Sequence, residues 1–304
     1  MEAPQAVFAE SVEAIKAVVL DSLTSPESKR VYKRAMSRFI SWVQAERPLT
    51  GFAKANVQAF RAHLIASGLS SSAINLYLTA VRRLATEAAD GGVLSSEVAA
   101  AIGRVKGVKS EGVRTGNWLT VKQAEGLINS ANTTTVKGRR DRALLAVIVG
   151  CGLRREEAAS LKVEHIQERD GRWIILDMCG KGRKIRSIPM PNWAKAAIDV
   201  WIEAAGFSGG ALFRPVNKGG KIAGARMTGQ SVFVAVKHYA EPLGFRIAAH
   251  DLRRTYARLA YDGGSTLEQI QLSLAHSSVV TTEKYVNVQQ TLKNGPCDHL
   301  GLQL

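Results

Sequence analysis

The sequence predicts a mainly α-helical protein with a small antiparallel β-sheet, built as two helical halves of unequal size. Three observations carry that expectation. Apolar residues recur at three- and four-residue spacing in one segment after another. Strand-like runs are few, RWIILDM (172–178) and KIRSIP (184–189) around the turn CGKGRK. Between the halves lies GRVKGVKSEGVRTGN (103–117), which is glycine-rich and poor in apolar residues. The expected organisation is a helical unit over 1–105, a linker over 106–117, and a second unit over 118–304 that includes a C-terminal tail.

The first half reads as helical throughout. SKRVYKRAMSRFISWV (28–43) places Tyr32, Met36, Phe39, Ile40 and Val43 on one face. Arg30, Lys33, Arg34 and Arg38 fall largely on the other, and Ser25 with Pro26 marks the start. AKANVQAFRAHLIASG (53–68) is a second helix, ended by Gly68. The third, 70–92, carries the stripe Ile74, Tyr77, Leu78, Val81 and Leu84, with Arg82 and Arg83 off it. SSEVAAAIGRV (95–105) is a short fourth.

In the second half, Thr120 is placed to cap a helix over 118–131. RDRALLAVIVG (140–150) reads as a buried helix closed by a Gly-Cys-Gly turn. Four further helices are expected at 192–205, 228–241, 250–262 and 266–274. Ser265 and Glu268 form a capping box for the last of these. Ser277 or Ser278 then caps a final helix that carries Tyr285.

Composition narrows the function classes. The chain has 304 residues, 46% of them hydrophobic, enough to bury a core in each half. Its net charge is +15, and basic residues outnumber acidic ones in both halves. Such a surplus points to a polyanionic partner, nucleic acid first, because each Lys or Arg along a phosphate backbone adds attraction. Arg30, Lys33, Arg34, Arg82, Arg83, Arg183 and Lys184 are the candidate DNA-contacting residues. Cys151, Cys179 and Cys297 are widely spaced and odd in number, which argues against a disulfide framework or zinc knuckle and fits a reducing cytoplasm. The opening MEAPQAVFAESVEAIK lacks the features of a signal peptide, and ALLAVIVGCGL (143–153) is too short to span a bilayer, so no membrane association is expected.

Four separated places carry side chains that packing alone does not require. In GLRREEAASL (152–161), Arg154 follows a glycine turn, and Glu157 three residues on is placed to hold it. In GKGRKIRSIP (180–189), Lys181 sits at a hairpin tip between two glycines. In HDLRRTYA (250–257), His250 and Arg253 share a helix face, while Arg254 points about 100° away. In LAHSSVVTTEKY (274–285), Tyr285 follows His276 by nine positions. Read singly, each has an ordinary explanation: a surface ion pair, a solvated loop lysine, a capping histidine, a buried tyrosine.

Together and in this order, the four strings resemble the tyrosine recombinase (phage integrase) family, with a Xer-like cast. The resemblance covers roughly 118–290, and the helical first half is similar to that family's SAM-like core-binding domain. One departure is Ala275, where the family usually shows glycine before the histidine. The resemblance implies a site-specific DNA recombinase in which Tyr285 attacks the scissile phosphate and forms a 3′-phosphotyrosyl link. It implies Arg154, Arg253 and His276 as donors to the phosphate oxygens, Lys181 as the acid for the departing 5′ oxygen, and His250 as acceptor of the phenolic proton. Glu157 would buttress Arg154. No metal, nucleotide or other cofactor is implied, and the sequence contains no GxxxxGK[ST] loop or HExxH spacing. The implied partner is double-stranded DNA with a specific recombination site, bound by a homotetramer on synapsed sites, with or without a related recombinase, in the cytoplasm at the nucleoid. Two alternatives stay open at this level: a type IB topoisomerase-like relaxase, and a non-catalytic DNA-binding protein on the same fold.

Overall fold

The computed structural model describes residues 4–46, 52–109, 117–180 and 185–286. These fall into two compact units, Met1–Val113 and Arg114–Leu304. The described part is mainly helical, with one three-stranded antiparallel sheet. None of its helices is long and apolar enough to cross a membrane.

The first unit holds α1 (Pro4–Asp21), α2 (Pro26–Glu46), α3 (Lys54–Ala66), α4 (Ser71–Asp90) and α5 (Ser96–Gly103). The sequence reads as helical from its start without bounding a helix before residue 28, and α1 supplies those bounds. Its Val12, Ile15 and Val19 recur at three- and four-residue spacing and are all buried. The expected stripe of α4 is buried along its whole length, from Ile74 to Leu84. Phe39 lies 5.2 Å from both Phe52 and Phe60, so tilted and edge-on aromatic pairs tie α2 to α3. Ser70 and Ser95 cap α4 and α5 by accepting from the amides of Ala73 and Val98.

The start of the expected linker is strapped to α4. The Asn75 amide donates to the Val108 carbonyl at 2.9 Å, and the Val108 N–H donates back to Asn75 Oδ1 at 2.8 Å. Arg82 donates to the Val105 carbonyl. Residues 110–116 lie outside the described residues.

The second unit comprises α6 (Val121–Asn129), α7 (Val136–Cys151), α8 (Arg155–Ser160), β1 (Ile166–Arg169), β2 (Arg172–Cys179), β3 (Ile185–Pro189), α9 (Asn192–Ala205), α10 (Gly229–Ala240), α11 (Ala249–Asp262), α12 (Leu267–Leu274) and α13 (Val279–Val286). Its centre is α7, apolar all round and buried from Ala143 to Val149. Buried Asp141 accepts from Arg140 and from the Tyr239 hydroxyl at 3.0 Å, pinning α7 to α10. Thr120 caps α6 in a capping box with Gln123. The sheet order is β1-β2-β3, with Ile175 opposite both Ile166 and Ile188.

Two local expectations are corrected. The sheet has a third strand, β1, joined to β2 through Asp170 and Gly171, both at positive φ (51° and 71°). That pair is the two-residue turn that an Asp-Gly step favours between antiparallel strands. The cap of α12 is Thr266, whose hydroxyl accepts from the Gln269 amide, not Ser265. The Ser265 N–H donates to the Ala260 carbonyl, so Ser265 belongs to the closure of α11 and the helix starts one residue later.

Candidate active site

A cationic cluster forms where α8, β3, α11, α12 and α13 converge. Gly152 ends α7 in the left-handed conformation (φ 61°) and throws Arg154 to the N-cap of α8. Two constraints demand glycine there: a Cβ at position 152 would stand 2.6 Å from the Tyr256 ring and 2.9 Å from the Leu274 side chain. The Gly152 carbonyl accepts from Arg253 Nη1 at 2.6 Å. The turn therefore sets both guanidinium groups.

Glu157, 4% exposed, organises the arginines. One carboxylate oxygen accepts from Arg154 Nη1 at 2.8 Å, and the other accepts from the Arg154 backbone N–H at 2.8 Å. Arg186 on β3 forks onto the same carboxylate at 3.1 and 2.9 Å. Its Nε donates to the Ser273 carbonyl of α12 at 2.7 Å. Arg253 Nη1 lies 3.7 Å from Glu157. Burial opposes ionisation of Glu157, but the Arg186 fork and the Arg154 N–H outweigh it, and the carboxyl is held at about 2.

Arg253 is wholly buried on α11. Burial and then Arg154 lower it to about 10, so it stays charged at neutral pH. Its two terminal nitrogens donate to the Gly152 and Leu274 carbonyls, and its Nε–H has no acceptor among the described residues. The Nε of Arg254 and the Nε2 of His276 are likewise buried, with no partner among the described residues. Unspent buried donors beside one another are costly in a free protein and suit a site that waits for an anion.

Tyr285 on α13 is enclosed by these groups. Its hydroxyl lies 2.5 Å from His250 Nε2. The His276 ring meets it edge-on at 4.6 Å between centroids, and the His250 ring at 5.5 Å. The Arg254 guanidinium lies over its face at 5.4 Å. Ser278 accepts from the Val280 amide at the start of α13. At the other end Arg258 donates to the Val286 carbonyl at 2.8 Å. Val286, Ala257, Ile270 and Leu274 form a small core of their own beneath the helix. A cleft of about 600 Å³ opens beside the cluster, lined in part by Arg154, Arg155, Cys179, Gly180, Phe233 and His250.

His276 follows Ala275, which closes α12 in the left-handed conformation (φ 48°, ψ 46°). A methyl there is strained, because an L-residue in this region costs roughly 1–2 kcal/mol. Ala275→Gly is expected to raise stability by about 1 kcal/mol in urea melts, the backbone freedom of glycine offsetting part of the relief. Burial and then Arg253 lower His276 to about 4. Burial, and then the Arg254 charge, likewise lower His250. Both rings are therefore neutral at pH 7. For His276 the unfolded chain takes up a proton below pH 6.5 that the folded chain refuses until about 4. Stability is complete above 6.5 and falls by roughly 3 kcal/mol across that window, a drop that His276→Gln should flatten in urea titrations at pH 7 and pH 5.

Of the residues singled out from sequence, Arg154, Glu157, His250, Arg253, His276 and Tyr285 come together in this one cluster. Lys181, Arg183 and Lys184 lie outside the described residues. On the first unit, Arg30, Lys33 and Arg34 are exposed, with Arg30 paired to Glu27 at 2.7 Å. Arg82 and Arg83 are half-buried and donate to Val105 and Ser22. Sequence reasoning missed Arg186, although a charge at an inward position of strand IRSIP, on the face of buried Ile188, marks a residue held for a partner.

Residues 117–291 match the family model for the phage integrase family, and residues 17–92 match the phage integrase N-terminal SAM-like domain. The chain belongs to the phage integrase family. Its relatives include tyrosine recombinase XerC of Pseudomonas fluorescens, 26% identical over 270 residues that cover 87% of this chain and 86% of the relative. XerC of Pelobacter propionicus is 34% identical over 172 residues, 56% of this chain and 55% of that protein. Among solved structures, the fold is similar to XerH site-specific recombinase bound to difH substrate (TM-score 0.73, 18% identity, covering 96% and 95% of the two chains). It is also similar to a lambda integrase (75-356) dimer bound to a COC′ core site (TM-score 0.70, 16% identity, 91% and 94%). This member of the phage integrase family is a tyrosine-type site-specific recombinase.

Proposed function

We propose that this recombinase cleaves and rejoins double-stranded DNA at a specific site through a 3′-phosphotyrosyl intermediate on Tyr285. The observation that carries the reading is the Tyr285 hydroxyl, 2.5 Å from a neutral His250 and embedded in a cluster of buried, partly unspent cationic donors. In the reaction, the Tyr285 oxygen attacks phosphorus in line and its proton passes to His250 Nε2. The P–O5′ bond breaks, and the departing 5′ oxygen takes a proton from Lys181. Charge that gathers on the non-bridging oxygens meets Arg154, Arg253 and His276. Fixed donors at such a centre are worth about 3 kcal/mol each. Because the phosphodiester's energy is kept in the tyrosyl link, the reverse attack by a 5′-hydroxyl reseals a strand without nucleotide.

The basic surplus of both units and the DNA present with the solved relatives support duplex DNA as partner. Arg30, Lys33 and Arg34 are the exposed cations that would grip its phosphates from the first unit. Strand exchange needs several protomers on two sites, and a homotetramer is the closed arrangement that supplies four nucleophiles. The test is incubation of the full chain with a nicked suicide duplex made from DNA that it binds in its own cell. A covalent protein–DNA adduct that maps to the peptide 279–286 is the expected product, and its absence overturns the reading. A two-site plasmid then separates recombination from relaxation alone, which is the outcome for a type IB relaxase.

A further inference from the structure

Thr282 lies on α13 three residues before Tyr285 and is wholly buried. Its Oγ1 stands 2.9 Å from Nδ1 of His276, and that contact is its one side-chain hydrogen bond among the described residues. The His276 ring is itself buried, and its other nitrogen, Nε2, has no partner among the described residues. A neutral imidazole carries one proton, and a threonine hydroxyl can either donate or accept. Two arrangements therefore satisfy the contact.

In the first, the Thr282 O–H donates to Nδ1, and the ring proton resides on Nε2. In the second, Nδ1–H donates to Thr282 Oγ1, and Nε2 carries a bare lone pair. The second leaves two buried polar groups without partners, the Thr282 hydroxyl proton and the Nε2 lone pair. The first leaves only Nε2–H, and each buried orphan is costly. The hydrogen bond at one ring nitrogen thus decides the state of the other. A phosphodiester offers acceptors only, so Nε2–H can meet it and a lone pair cannot.

We propose that Thr282 is a positioning residue that fixes His276 as its Nε2–H tautomer, so that an uncharged imidazole presents a proton to the scissile phosphate. The proposal rests on the phosphodiester-cleavage reading above. It also couples two parts of the site, since α13 carries both the nucleophile and the hydroxyl that sets the donor. Docking of one helix completes both.

The test uses the full chain labelled with ¹⁵N-histidine, with His276→Gln to assign the signals. Wild type is expected to show His276 with the proton on Nε2, and Thr282→Val is expected to lose that preference. Wild type with the proton on Nδ1, or Thr282→Val with the wild-type tautomer, overturns the proposal. On a saturating suicide duplex, Thr282→Val should form adduct roughly 10- to 100-fold more slowly with unchanged DNA affinity, less than the loss of a whole donor. Thr282→Ser should restore the rate, and Thr282→Val cleaving at the wild-type rate also overturns the proposal. If wild type forms no adduct, the cleavage reading fails, and the tautomer spectrum still decides the role of Thr282. If Thr282→Val does not fold, the wild-type spectrum and Thr282→Ser carry the decision.

Discussion

Tyr285→Phe abolishes the covalent adduct with DNA while the protein stays folded and DNA-bound; this is the expected result of the single most severe substitution for chemistry. Phenylalanine keeps the ring that meets His276 at 4.6 Å and lies beneath Arg254. It removes only the hydroxyl and its contact with His250, a hydrogen bond worth about 1 kcal/mol to stability. The measurement is adduct yield on a suicide duplex beside a mobility-shift titration and a urea melt. Wild-type adduct from the Phe variant would move the nucleophile elsewhere. Equal loss of binding would mean that the residue serves the fold.

The largest effect on stability is expected at Glu157. Glu157→Gln keeps the shape but leaves Arg154, Arg186 and Arg253 close together without their shared carboxylate. Removing one partner of a buried charge pair costs roughly 3–5 kcal/mol. The carboxyl is held at about 2 when folded and ordinary when unfolded. Its stabilisation is therefore present above about 4.5 and is lost as pH falls through 2. Urea denaturation at pH 7 should show the full deficit of the variant. The double variant Glu157→Gln with Arg186→Met should lose less than the two single losses combined, because the second change removes one of the stranded charges. Strict additivity would dissolve the cluster as an energetic unit.

Much of the site is legible in the residues alone. Three of the four strings carry Arg154, Glu157, His250, Arg253, His276 and Tyr285, because each combines a turn or helix position with a charge or hydroxyl that packing does not request; the candidate of the fourth, Lys181, lies outside the described residues. The α4 stripe is legible because its apolar spacing stays regular for three turns. What escapes reading depends mostly on partners distant in sequence. Arg186 meets Glu157 and Ser273, and Thr282 meets a ring on the preceding turn; only the second of these is local. β1 escapes because IQER is short and polar, although the Asp-Gly step beside it is a hairpin signal. Ser265 and Thr266 offer equivalent caps, and the closure of α11 upstream makes the choice. The strain at Ala275 is invisible in sequence, since φ belongs to the chain path and not to the residue.

Among the described residues, the apolar cluster under α13 is separate from the large core of the second unit and has four buried members. Its seat is therefore held by a few kcal/mol of burial, the hold expected of so few side chains. Tyr285 rides on the segment with the smaller apolar seat, and weakly held segments are where local opening costs least. Whatever presses on those eight residues, Val279–Val286, bears directly on where the Tyr285 hydroxyl sits against His250.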